Sequence, residues 1–114
     1  TGALLKACVT CGALIGGAKE DLLEALRIYA KGIGLAFQIV DDILDVTASS
    51  DVLGKTAGKD LIADKTTYPK LLGLDESRRR AHELVKEAKD AISPWKSKAA
   101  PLIALADYIT NRDR

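Results

Sequence analysis

Phe37-Gln38-Ile39-Val40-Asp41-Asp42-Ile43-Leu44-Asp45 sets three carboxylates inside a strongly apolar run. Isolated negative charges in such surroundings are expensive unless a cation compensates them. Asp41 and Asp45 are four residues apart and Asp42 and Asp45 three apart, so a helix gathers all three on one side. Lys55, Lys59 and Lys65 follow, with Gly54 and Gly58 loosening the backbone around them. Carboxylates able to hold a hard metal ion, next to ammonium groups on a glycine-containing loop, imply a diphosphate site.

The run belongs to a long helix. Glu20 and Asp21 open it with negative charge, which suits a helix N-terminus. From Leu22 to Val46, the residues Leu22, Leu26, Tyr29, Ile33, Phe37, Val40 and Leu44 recur at steps of four and three. A helix of that length spans ~36 Å and is expected to be the central element. With Asp41 at zero and ~100° per residue, Gly34 falls near ~+20°, Asp45 near ~+40°, Gln38 near ~+60° and Asp42 near ~+100°, while the apolar stripe centres near ~−80°. Asp41 therefore flanks the core-facing stripe, with Asp45 and then Asp42 further round the helix, and the reading is of carboxylates lining a space between helices. Gly32 and Gly34 interrupt the helix at ~1 kcal/mol each against alanine. Close helix packing explains them, and so does room for a substrate beside Gly34.

Composition narrows the fold. The 114 residues suffice for one modest domain. Hydrophobic residues make up 47% but aromatics only 4%, so Leu, Ile, Ala and Val must build the core, and with 29% charged residues this favours helices over sheets. A net charge of +1 gives no field for nucleic acid or for a membrane surface. No apolar run approaches the ~20 residues that span a bilayer. The sequence starts at Thr1 and has no methionine, which is expected of a processed chain or a fragment. Cys8 and Cys11 form a lone C-x-x-C, read as small packing residues of a buried helical face in a reducing compartment.

The remaining chain reads as short-linked helices. Gly2 to Ile15 places Leu4, Cys8, Cys11 and Ile15 on one face, and Gly16-Gly17 ends it. Thr47 to Lys59 has the composition of a loop. Asp64 to Thr67 looks like a cap for a short helix packed through Tyr68, Leu71, Leu72 and Leu74, with Pro69 in its first turn. Asp75 is placed to cap a helix from Glu76 to Ile92 whose inner side carries Ala81, Leu84, Val85, Ala88 and Ile92. Arg78, Arg79 and Arg80 point in successive directions and read as a solvated face, and His82 as a surface residue. Ser93-Pro94 ends that helix, Trp95 anchors the linker, and Ser97 to Arg112 forms a last helix with Leu102, Leu105, Ala106 and Ile109 inward. The sum is an all-α helical bundle.

Magnesium usually binds through one or two carboxylates plus substrate phosphates. Lysines neutralise the remaining phosphate charge, and apolar walls keep water from the carbon fragment left when a diphosphate departs. The residues thus suggest metal-assisted ionisation of a hydrophobic diphosphate.

These motifs resemble a known family. The run 37–45, then Leu53-Gly54-Lys55-Thr56-Ala57-Gly58-Lys59-Asp60, then Asp64-Lys65-Thr66-Thr67-Tyr68-Pro69, is similar to the second aspartate-rich region of trans-isoprenyl diphosphate synthases. The middle run most resembles geranylgeranyl diphosphate synthases of plant plastids and photosynthetic bacteria, and the likeness extends to Leu105-Ala106-Asp107-Tyr108-Ile109. It implies a helical bundle of the isoprenoid synthase type and condensation of isopentenyl diphosphate with an allylic diphosphate (dimethylallyl, geranyl or farnesyl), geranylgeranyl diphosphate being the expected product. Asp41, Asp42 and Asp45 would form the metal group for Mg2+, or for Mn2+ in its place, with Asp41 and Asp45 as ligands and Asp42 in support. Gln38 would stand beside the diphosphate and the developing carbocation, and Phe37 would line the substrate. Lys55 would contact the diphosphate, Lys65 would close over it, and Asp60 would hold a water or orient the loop. Thr1 matches the threonine of a lysine-threonine pair near the allylic carbon.

The first aspartate-rich motif of the family and its isopentenyl diphosphate ligands have no counterpart in this sequence. Residues 1–114 are therefore expected to be the C-terminal part of one synthase domain, carrying half of the metal site and inactive alone. A homodimer, or a heterodimer with a related subunit, and a plastid location (otherwise the cytoplasm) are what the resemblance implies. Its alternative is a catalytically inactive regulatory small subunit of the same fold. Product length, in the family, depends on residues near the missing first motif.

Overall fold

The computed structural model describes residues 1–51 and 67–113. Among them are five α-helices and no strand: α1 (Gly2–Ile15), α2 (Glu20–Asp51), α3 (Tyr68–Leu72), α4 (Leu74–Ile92) and α5 (Ala100–Asn111), with a 3-10 segment at Ser93–Ala99. The all-α expectation holds. At its 32 residues α2 should run ~48 Å, which matches the longest dimension of the chain, 47 Å. It is the axis, with α1 and α4 packed against it and α5 closing one side.

Because α2 is covered by more than one neighbour, its buried surface is wider than the stripe read from periodicity. Tyr29, Ile33, Ala36, Ile39, Val40 and Ile43 are buried, while Leu22, Leu26, Phe37 and Leu44 are only partly so. The facing surface of α4 is the expected one: Ala81, Leu84, Val85, Ala88 and Ile92 are all buried. Gly32 lets these helices meet. A Cβ there would lie 3.1 Å from both the Ala88 Cβ and the Leu84 carbonyl oxygen.

Tyr29 fixes α5 to this core. Its ring is fully buried and its hydroxyl donates to the Leu102 carbonyl at 2.6 Å. Burial pushes the phenol up from 10.0 to about 12. A raised folded-state value means that Tyr29 contributes stability below pH 10 that is lost as pH rises from 10 toward 12. Tyr29→Phe is expected to cost about 1 kcal/mol at neutral pH and to flatten that alkaline decline, as read by urea unfolding across pH 8 to about 11.

Several boundaries and faces depart from the sequence reading. Thr47 does not open a loop, because α2 continues to Asp51. Its hydroxyl donates back to the Ile43 and Leu44 carbonyls, at 3.0 and 3.2 Å, so a polar residue sits in the helix without breaking it. Asp75 lies in the first turn of α4, not at its cap; Gly73, at φ 84, precedes Leu74 there. The 3-10 segment delays the last helix to Ala100. Leu71, Leu72 and Leu105 are exposed at 70%, 49% and 48%, so they do not pack inward.

The face of α1 is the largest correction. Leu4 and Ile15 are 68% and 88% exposed, and Cys8 and Cys11 are exposed free thiols. The partly buried positions are instead Leu5, Val9, Thr10 and Ala13. The stripe has the expected helical spacing, but it faces away from α2 and is left exposed among the described residues.

Outside the core, Arg79 bridges Glu76 and Glu83, while Arg78 reaches Asp75 and Arg80 reaches Glu83 at 3.7 and 3.3 Å. Hydrogen bonding from Arg79 holds the Glu76 carboxyl below its usual range. This is the expected solvated face, and such exposed pairs contribute little to stability. His82 is exposed beside them, as expected. No helix among the described residues is long and apolar enough to cross a membrane.

Candidate functional site

The site is built on the C-terminal half of α2. Asp42 is the most buried of its three carboxylates, at 9% exposure. Gln38, one turn earlier, donates from Nε2 to Asp42 Oδ1 at 3.2 Å, and the Tyr68 amide donates to Oδ2 at 3.4 Å. Both oxygens of Asp42 are thus engaged inside the protein. The second contact fixes where the chain returns to the bundle. Beside it, Thr67 is buried and caps α3, its hydroxyl accepting from the Lys70 amide at 3.4 Å. Asp42 is therefore an anchor, holding the helix and the returning chain together.

Asp41 is half exposed and meets a different partner. The Arg112 guanidinium, which lies just past the end of α5, pairs with Asp41 Oδ1. From the same Nη2 it donates to the Phe37 carbonyl at 3.0 Å, and its centre lies 4.1 Å from the Phe37 ring centroid. Ion pair, backbone bond and cation–π contact together hold Arg112 at 9% exposure. Asp45, one turn beyond Asp41, is partly buried.

On the same side of α2 a cleft of about 530 Å³ opens between α1 and α2, lined by Gly2, Lys6, Lys31, Gly34, Leu35 and Gln38. A Cβ at Gly34 would stand 3.1 Å from the Gly2 Cα. Gly34 thus serves close packing and also borders the cleft. The Gly2 contact brings the start of α1, and with it exposed Thr1, to the level of Gly34. Gln38 is one helical turn further along α2 and Asp41 two.

Thr1, Gln38 and the aspartates are thus brought to one side of α2, while Phe37 lies under Arg112. Lys55, Asp60 and Lys65 fall outside the described residues, as do Gly54, Gly58 and Lys59. Sequence reasoning gave Arg112 no role beyond ending a helix. Its partner is 71 residues away, and no local pattern reports such a pairing.

Among the described residues, no three acidic, histidine or cysteine side chains converge tightly enough to enclose a metal by themselves. The donor set still suits a hard divalent ion that takes its remaining ligands elsewhere. Asp41 and Asp45 supply carboxylate oxygens on adjacent turns, and a cation already stands at Asp41.

The sequence pattern of the polyprenyl synthetase family matches residues 1–100. The chain belongs to the polyprenyl synthetase family. It is 60% identical over 114 residues to a chloroplastic geranylgeranyl pyrophosphate synthase of Capsicum annuum, covering 99% of this chain and 31% of that one. To the chloroplastic large subunit 1 of a heterodimeric geranylgeranyl pyrophosphate synthase of Arabidopsis thaliana it is 58% identical over 113 residues, covering 98% and 30%. A crystal structure from Marinomonas sp. MED121, provisionally assigned as a farnesyl-diphosphate synthase, superposes with a TM-score of 0.76 at 42% identity, covering 97% of this chain and 37% of that one. The fold is therefore that of an all-α isoprenoid synthase. The chain spans about a third of the length of these relatives.

Proposed function

We propose that residues 1–114 form one wall of the active site of a trans-isoprenyl diphosphate synthase that condenses isopentenyl diphosphate with an allylic diphosphate. The observation that carries this reading is Gln38 lining the α1–α2 cleft, with Asp41 one turn further along the same side of α2, in a chain of the polyprenyl synthetase family. Asp41 and Asp45 would hold Mg2+, or Mn2+ in its place. Such an ion, when held there, would supply positive charge to offset the charge of a departing diphosphate.

The chain's own residues have distinct parts in that reaction. Asp42 keeps Gln38 and the returning chain at Tyr68 fixed, which sets the side-chain geometry beside the diphosphate. Lys55 and Lys65 would neutralise the departing group, Asp60 would orient their segment, and Gln38 and Thr1 would face the allylic carbon. Phe37 and the apolar walls would keep water away from the cation left behind. The balance is one new carbon–carbon bond, with inorganic diphosphate and a proton released.

Geranylgeranyl diphosphate is the product we favour, supported by the names of the Capsicum and Arabidopsis relatives. The same names support a plastid location. The exposed Leu4–Ile15 stripe of α1 supports a larger domain or a partner that covers it, and we read the chain as part of one such domain. A dimer, either of like subunits or with a related one, fits the second of those names. The intact carboxylates weigh against an inactive regulatory subunit, which has no use for them. The test is product analysis: the natural protein, given labelled isopentenyl diphosphate, farnesyl diphosphate and Mg2+, is expected to yield a labelled twenty-carbon diphosphate. Absence of any condensation product from the folded protein would overturn the assignment. Residues 1–114 alone, holding half of the site, are expected to give none.

A further inference from the structure

We propose that Arg112 is the resident counter-cation of Asp41, and that its guanidinium and a divalent metal exclude one another on that carboxylate. The proposal rests on the reading of Asp41 as a metal ligand. Three features of the site carry it.

First, the ion pair is placed on the carboxylate that faces out from α2, and not on the already satisfied Asp42. Asp41 is 42% exposed whereas Arg112 is 9% exposed, so the arginine is the member drawn in from solvent. A buried cation opposite an accessible carboxylate answers the charge problem of the Asp-Asp-x-x-Asp run when no metal is present. A divalent ion on Asp41 would bring a second positive centre within a few ångströms of a guanidinium held in a poorly solvated position. Repulsion there is strong, so one cation must leave.

Second, the docked arginine is incompletely satisfied. Nη2 serves both Asp41 and the Phe37 carbonyl, but Nε is buried with no acceptor among the described residues. An unmet buried donor weakens the docked position relative to a released one in water. The arrangement is therefore poised and not locked.

Third, release requires little movement. Arg112 follows the last helical residue and has extended backbone, at φ −71 and ψ 150. Its backbone is tied to the helix by a hydrogen bond that its amide donates to the Tyr108 carbonyl at 3.0 Å. Rotation at this residue frees the guanidinium without disturbing Ala106 or Ile109 in the core. Metal loading at the middle of α2 would thereby be linked to the end of α5.

The experiment is Mn2+ titration of the natural protein, with free metal read by electron paramagnetic resonance, on the unaltered protein and on Arg112→Gln, Arg112→Lys and Asp41→Asn. Removing a competing cation is expected to tighten Mn2+ binding about three- to tenfold in Arg112→Gln, with Arg112→Lys between it and the unaltered protein. Unchanged or weaker binding in Arg112→Gln would overturn the proposal. Asp41→Asn separates the two readings. If it keeps the unaltered affinity, Asp41 is not a metal ligand and both fail; if it loses binding while Arg112→Gln is unchanged, only the exclusion fails. Should the Arg112 variants not fold, amide exchange on the unaltered protein decides. Saturating Mn2+ is expected to speed exchange at Arg112, and no change there would contradict the proposal.

Discussion

Asp41→Asn in the natural protein is expected to lower turnover by ~10³-fold, about 4 kcal/mol of transition-state stabilisation, with the helical circular dichroism signal unchanged. The substitution keeps shape and one acceptor oxygen but removes the charge that would hold the metal. Arg112 can still hydrogen-bond the amide oxygen, so the end of α5 stays docked. Asp42→Ala should behave differently. It strips the acceptor from Gln38 and from the Tyr68 amide, so the loss appears first in thermal stability, at about 1–2 kcal/mol. The pair of variants distinguishes a residue that faces substrate from one that anchors the chain beside it. Equal loss of stability in both, with equal metal affinity, would show that the two carboxylates share a merely structural role.

Gly32→Val is expected to destabilise the protein by about 3 kcal/mol, visible as a fall of roughly 10 °C in the melting temperature. The α2–α4 contact holds most of the core, and at Gly32 the backbones approach too closely for a branched side chain. The nearest atoms include the Leu84 carbonyl oxygen, which belongs to the α4 backbone and can yield by tenths of an ångström but not by the width of added methyl groups. Gly32→Ala is the informative control. Its Cβ needs only a few tenths of an ångström, and alanine returns ~1 kcal/mol of helix propensity, so the two effects nearly cancel. A valine variant as stable as the alanine one would mean that the helices sit further apart than described.

How much of this was legible beforehand differs between elements. The course of α2 and the inner face of α4 follow from apolar spacing, because both helices bury that spacing against each other. The C-terminal limit of α2 was missed because Thr47 looks like a loop residue while its hydroxyl bonds back to its own helix. The face of α1 was misjudged for another reason. An apolar stripe reports that some surface will cover it, but not which, and α2 takes the Leu5 side instead. At the site, the grouping of Asp41, Asp42, Asp45 and Gln38 was readable from residue spacing alone. The division of labour among them was not, since it depends on Tyr68 and Arg112 arriving from distant parts of the chain. Lys55, Asp60 and Lys65 fall outside the described residues, and the roles proposed for them rest on the resemblance alone.

The central claim is that α2 presents Asp41 to a metal-bound diphosphate. Calorimetric titration of the natural protein with inorganic pyrophosphate, with and without Mg2+, tests it most directly when run beside Asp41→Asn. Binding is expected to require Mg2+ and to weaken at least ~10-fold in the variant, a loss of about 1.4 kcal/mol. Pyrophosphate affinity that is the same in both proteins, or the same without Mg2+, would contradict it.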